Sequence, residues 1–158
     1  MPSEGKPIMP VTLQKHFADA TRLAAKDLLD ATLLLPEDKR SWKPLEKGRS
    51  ALDQIAECAM INGNSLSILQ THRFSMLDMD AWLAAKAKLA EDWEQCSASL
   101  LSSADEAAEA ILAVPDDQLS IEIATPWRPM SVTDIIVYPY WNMSYHQGQI
   151  TYIHSLLG

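Results

Sequence analysis

Cysteine is nearly absent from this chain, and an excess of positive charge is absent altogether. The two cysteines among 158 residues, Cys58 and Cys96, cannot build a disulfide framework and are typical of a protein in a reducing cytoplasm. Lys and Arg number 13 against 21 Asp and Glu, which gives a formal net charge of −8. Because binding to a phosphate backbone needs clustered basic side chains, we expect no nucleic-acid partner.

Long apolar runs are also missing. No segment approaches the roughly 20 consecutive apolar residues that cross a bilayer, so we expect no membrane partner. The opening residues, MPSEGKPIMP, lack the apolar centre of a secretory signal, and we therefore expect a cytoplasmic protein. The length suits a single domain over residues 1–158, with residues 1–11 as an N-terminal arm.

Helical periodicity is what the sequence has in abundance. A first amphipathic helix is predicted from apolar residues that recur every three or four positions, namely Leu13, Phe17, Ala20, Ala24, Leu28, Ala31 and Leu35. Pro36 ends this pattern. A second helix is predicted to begin at Ser50, because Asp53 follows it at the spacing of an N-terminal capping box.

The second half of the chain continues in the same way. An apolar stripe over residues 81–114 predicts one long helix or two stacked pieces, with the break expected among the serines of residues 97–103. The segment LSIEIATPWRPM alternates and holds two prolines, which predicts a short extended crossover. Ser131 and Asp134 then predict the start of a last helix. The fold class that follows is all-α, an antiparallel four-helix bundle with a short extended crossover before the last helix.

Two polar side chains interrupt the apolar stripe of the last helix. At 100° per residue, Asn142 and His146 lie within about 40° of that stripe, and Gln149 lies about 60° from it. Burial of an amide or an imidazole without a partner costs about 1–3 kcal/mol, so partners are expected inside the bundle. Tyr138 and Trp141 stand beside the pair and are expected to wall a pocket. The alternative is that the aromatic rings only pack or form a dimer face.

Three stretches, SALDQIAECA, PWRPMSVTDII and WNMSYHQGQITYI, resemble the DinB/YfiT-like superfamily of bacterial four-helix bundles in order and spacing over nearly the whole chain. The most specific part is His-x-Gly-Gln-Ile, followed by a Tyr and a terminal Leu-Gly. Many members of that superfamily bind a divalent metal, often zinc or nickel, through three histidines. By position, the resemblance places those ligands on Glu57, Asn142 and His146, so one histidine of the three is retained.

This departure leaves two interpretations of the site. A metal set of Glu57, Asn142 and His146 would hold zinc, nickel or manganese more weakly than three imidazoles, because an amide is a poor neutral ligand. In the alternative, the same residues form a metal-free network in which the Glu57 carboxylate accepts from the imidazole and the Asn142 amide bridges them.

Two functions correspond to these interpretations. The resemblance implies a metal-dependent enzyme that uses a low-molecular-weight thiol, with Glu57 and His146 as catalytic residues and with ligand contacts from Asn142, Gln149, Tyr138 and Trp141. The alternative is a non-catalytic module that binds a small molecule or dimerises, its ancestral site having decayed. In either case the apolar material on the helices leads us to expect a homodimer.

Overall fold

The computed structural model describes residues 10–158, so most of the predicted N-terminal arm lies outside the described residues. Five α-helices occur in this part of the chain: α1 (Leu13–Leu33), α2 (Ala51–Thr71), α3 (Met79–Leu89), α4 (Trp93–Leu112) and α5 (Val132–Leu157). Two 3₁₀ turns lie at Glu37–Lys39 and Asp116–Gln118. The predicted extended crossover is a two-residue antiparallel ladder between β1 (Glu122–Ile123) and β2 (Met130–Ser131).

Side-chain caps determine where the helices begin. The Ser50 hydroxyl accepts from the amide of Asp53 at the start of α2, as the sequence pattern predicts. At the start of α5, Ser131 and Asp134 form a complete capping box in which each side chain bonds the backbone of the other. Such caps satisfy amides that have no partner within the helix and contribute about 1 kcal/mol each.

The break in the long apolar stripe is not at the serines of residues 97–103, and that prediction was wrong. The helix stops at Leu89, and α4 begins after Asp92, whose carboxylate accepts from the amide of Gln95. An aspartate at the N-cap position stabilises a new helix start more strongly than serines inside a helix destabilise one.

Four of the helices form the bundle, and α3 serves to return the chain. Helices α1 and α2 each pack against both α4 and α5 and so lie on one diagonal of the bundle. Gln14 of α1 bonds to Val114 beyond the end of α4, and Gln54 of α2 bonds to His146 of α5, so these two neighbouring pairs are antiparallel. Helices α2 and α4 run in the same direction, because α3 lies between them in the chain and carries it back. The all-α four-helix bundle is confirmed.

The interior is filled by side chains from all four bundle helices, and both cysteines belong to it. Cys58 and Cys96 are fully buried, and burial raises the pKa of both thiols, that of Cys96 to about 12. They therefore behave as small apolar residues, as the sequence indicated. Across residues 10–158, none of the helices combines the length and the apolar character that a membrane crossing requires.

Candidate functional site

The imidazole of His146 points into the bundle toward α2, and only 2% of the residue is exposed. Its Nε2 atom lies 3.2 Å from Glu57 Oε1. The inward orientation and the proximity to Glu57 that the sequence predicted are therefore both observed, whereas a catalytic role for the two residues stays a prediction. The antiparallel packing of α2 and α5 produces this contact, since it places the first turns of α2 opposite the second half of α5.

The other ring nitrogen of His146 is held by two amides. Nδ1 lies 2.9 Å from Gln54 Oε1 and 2.9 Å from Gln149 Oε1. Oxygen atoms thus face both nitrogens, two amide oxygens at Nδ1 and one carboxylate oxygen at Nε2. Gln54 was not predicted from the sequence, although it lies three residues before Glu57 and hence on the same face of α2.

The second oxygen of Glu57 is taken by cations. Arg49 Nη2 lies 2.6 Å from Glu57 Oε2, and Arg49 Nε lies 2.5 Å from Asp53 Oδ2. Lys86 Nζ, from α3, lies 2.9 Å from Asp53 Oδ1 and 3.9 Å from Glu57 Oε2. Two carboxylates are therefore held by two cations, and Glu57 also faces the His146 ring. Arg49, Asp53 and Lys86 are site residues that sequence reasoning missed.

This arrangement keeps Glu57 ionised. Burial by itself raises the pKa of this carboxyl, but the hydrogen bonds from His146 and Arg49 outweigh burial and lower the pKa from 4.5 to about 2. Burial likewise raises the pKa of Asp53, and the bonds from Lys86 and Arg49 again bring it below its ordinary value. Both groups are anions at neutral pH, each matched by cations at hydrogen-bonding distance.

Asn142 does not bridge Glu57 and His146. Its Nδ2 donates to the Cys58 sulfur at 3.5 Å, one turn away along both helices. Because α2 and α5 are antiparallel, the residue four positions before His146 on α5 faces the residue four positions after Gln54 on α2. Asn142 therefore faces Cys58, and the amides that contact the His146 ring are those of Gln54 and Gln149 instead.

Three of the four residues predicted to contact a ligand line two different clefts, and Asn142 lines neither. Tyr138 and Trp141 line a cleft of about 610 Å³ together with side chains of α2 and of the segments before α3 and α5, among them Ile61, Ile68, Phe74 and Trp127. Gln149 lines a second cleft of about 600 Å³, which also contains Arg49, Gln54 and Tyr145. Burial raises the pKa of Tyr138, and the Glu57 charge adds to the effect.

The donor set does not fit a metal ion as it is arranged. A ligating imidazole needs a lone pair, and His146 has oxygens at both nitrogens. Both Glu57 oxygens are engaged, one of them by the positive Arg49 guanidinium. Within residues 10–158, no group of three or more His, Cys, Asp or Glu side chains is placed to hold a metal ion.

Comparison with known proteins adds information about the fold. No protein-family model matches the sequence, and no curated protein matches it. YfiT from Bacillus subtilis, described as a probable metal-dependent hydrolase with an unusual four-helix bundle topology, superposes with a TM-score of 0.78 at 14% identity over 98% of this chain and 94% of that one. The DinB-like protein YjoA from the same organism gives 0.65 at 11% identity over 90% and 92%.

These similarities define the class of fold. The chain has the DinB/YfiT-like four-helix bundle, and the resemblance inferred from its sequence motifs is confirmed at the level of fold. At 14% and 11% identity the similarity extends to the fold alone.

Proposed function

We propose that this protein is a small-molecule-binding bundle whose polar centre works without a metal ion. The observation that supports this most directly is the Arg49 guanidinium, 2.6 Å from Glu57 Oε2. A cation that belongs to the chain is already bound to the carboxylate that a metal would need. The remaining donors of the centre are likewise paired with one another rather than directed toward an open position.

The polar centre then has a structural and positioning role. General acid–base catalysis requires a group that reaches the substrate and can exchange its proton. His146 is almost fully buried with both nitrogens engaged, and the Glu57 side chain is 19% exposed with both oxygens engaged. The network joins α2 to α5 and lies between the two clefts, which follow one another along the same face of α5.

The ligand site that we propose is the cleft lined by Tyr138 and Trp141. Its walls are mainly apolar and aromatic, and Phe74 meets Trp127 edge to face at 5.3 Å between ring centroids. Asn64, Ser65 and Thr125 supply a few hydrogen-bonding groups. A concave apolar surface with a few polar groups is the usual form of a small-molecule site, and it suits a ligand with a flat apolar body.

A neutral fluorescent probe tests this site. We expect N-phenyl-1-naphthylamine to gain fluorescence on binding to the wild-type protein and to lose most of that gain with Trp141→Ala. Tyr152→Ala is the matched control, because Tyr152 is an exposed ring on the same helix that lines the other cleft. Equal binding by wild type and Trp141→Ala would place the ligand elsewhere.

A metal-dependent enzyme is the second candidate, and the description of YfiT favours it. It would require Arg49 to leave Glu57, and one ring nitrogen of His146 to leave the oxygen that it now faces. Elemental analysis after dialysis against zinc, nickel and manganese distinguishes the two. We expect less than stoichiometric metal and no difference between wild type and His146→Ala. One metal per chain, lost in His146→Ala, would replace our proposal by the enzyme, and a low-molecular-weight thiol is then the first substrate to test.

The homodimer stays a prediction. Trp141 and Tyr145 stack at 5.7 Å between ring centroids and are about half exposed, so they form an aromatic row along the outside of α5. A pair of copies joined at this row would cover part of the first cleft. Light scattering coupled to size exclusion measures the mass directly, and a monomer that still binds the probe would separate ligand binding from assembly.

A further inference from the structure

The His146 ring dictates how two amide groups are presented to the second cleft. Nδ1 draws the oxygens of Gln54 and Gln149 inward, so the –NH₂ group of each is turned away from the ring. Gln54 Nε2 makes a long contact of 3.5 Å with the carbonyl of Arg49. Among residues 10–158, no acceptor bonds to Gln149 Nε2, which leaves a donor available at the wall of this cleft.

The charges around this cleft have one sign. Lys47 and Arg49 line it, and none of its lining residues is Asp or Glu. Lys47 is exposed and makes no ion pair within the described part of the chain, in a protein whose formal net charge is −8. The Arg49 charge is matched by Glu57 and Asp53, so Lys47 supplies the unmatched positive charge, and together with the Gln149 donor it favours an anionic occupant.

Two aromatic rings complete the cleft. Tyr145 and Tyr152 are seven residues apart on α5, which places them on one face about two turns apart. Gly148 lies between them, and a Cβ added there would meet nothing within 4 Å, so the floor of the cleft is open. The helix rise between them is about 10 Å, so a flat ring has room over Gly148 beside the two tyrosines, with its charged group directed toward the loop that carries Lys47.

We propose that this cleft binds a small aromatic anion, with the carboxylate held by Lys47 and the Gln149 amide and the ring placed between Tyr145 and Tyr152. This site is separate from the apolar cleft proposed above, and neither depends on the other. The role of His146 in it is positional, since the ring never touches the ligand but decides which face of each amide is presented.

The test compares benzoate with benzamide, which have the same ring and differ in charge. Each is titrated into isotope-labelled protein while the side-chain amide resonances of Gln149 are followed by NMR. We expect saturable shifts with benzoate and binding weaker by about tenfold with benzamide or with Lys47→Gln, because a hydrogen bond to a charged group contributes at least that factor. Equal affinities for the two probes would overturn the proposal.

Two glycine substitutions test whether a side chain placed in the cleft blocks binding. Gly148→Leu places a side chain in the cleft, and we expect it to abolish benzoate binding. Gly63→Leu is the matched control, because Gly63 is also inside a helix, a Cβ there also meets nothing within 4 Å, and it does not line this cleft. Both changes improve helix propensity, so loss of folding does not account for a difference between them. Unchanged benzoate binding by Gly148→Leu would refute the site, whereas the probe test with Trp141→Ala would be unaffected.

Discussion

Replacement of Glu57 by Gln removes one charge from the centre of the protein while preserving the size of the side chain. The Gln oxygen can still accept from the His146 ring, but it no longer attracts the Arg49 guanidinium as an anion does. The free energy of unfolding should therefore fall by the contribution of the Glu57 charge. The lowered pKa of Glu57 gives the size of that contribution.

The magnitude follows from that pKa. The carboxyl has a pKa of about 2 in the folded protein against 4.5 ordinarily. Since each tenfold change in proton affinity corresponds to about 1.4 kcal/mol, the ionised pair stabilises the fold by about 3 kcal/mol. The folded pKa is the lower one, so this stability is fully present above pH 4.5 and is lost as the pH falls toward 2.

The measurement is urea unfolding of wild type and Glu57→Gln at several pH values. We expect the variant to be less stable by about 3 kcal/mol at pH 7 and by about 1 kcal/mol at pH 3, because the wild-type carboxylate gains its proton mainly in the unfolded state over that interval. Glu46→Gln, at an exposed position, should stay within about 0.5 kcal/mol of wild type. A difference between wild type and Glu57→Gln that is small at pH 7, or that does not shrink with acid, would refute the reasoning.

Three further changes test other parts of the structure by the same unfolding assay. His146→Ala should cost about 3 kcal/mol, because it leaves Glu57, Gln54 and Gln149 without their shared partner, and a loss below about 1 kcal/mol would contradict the network. Ser131→Ala should cost about 1 kcal/mol through loss of the capping box, with Ser131→Asp restoring most of it. Asn62→Leu should stabilise the protein by about 1 kcal/mol, because Asn62 Oδ1 is buried and none of the residues described donates to it. Destabilisation by Asn62→Leu would instead show that its amide is satisfied in solution.

Much of the fold could be predicted from local patterns. The caps at Ser50 and Ser131 act within three residues, so their effect can be derived from the sequence alone. The position of the interruption between α3 and α4 could not be predicted, because Asp92 and the serines that follow it are both compatible with an interruption. Which of them ends a helix depends on whether the following segment is long enough to pack against α1 and α2.

The candidate site could be predicted only in part. His146 was identified because it lies on the inward face of its own helix and a buried imidazole requires a partner, whereas Glu57, which faces it from α2, was identified through the family resemblance. Gln54 was accessible to the same reasoning, since it shares that face with Glu57. Arg49 and Lys86 were not accessible, because Arg49 lies outside the helix and Lys86 is brought close by the return of the chain through α3.

The amino-acid order by itself determined the helices and the inward position of His146, because periodicity and capping are local effects with a range of a few residues, and the family resemblance indicated Glu57 as its neighbour. Only the tertiary structure decided what surrounds that pair. The antiparallel packing of α2 and α5 directs Asn142 to Cys58 rather than to His146, and the return through α3 delivers a lysine to the carboxylates. Contacts between residues distant in the chain depend on helix direction and register, and no local pattern encodes these.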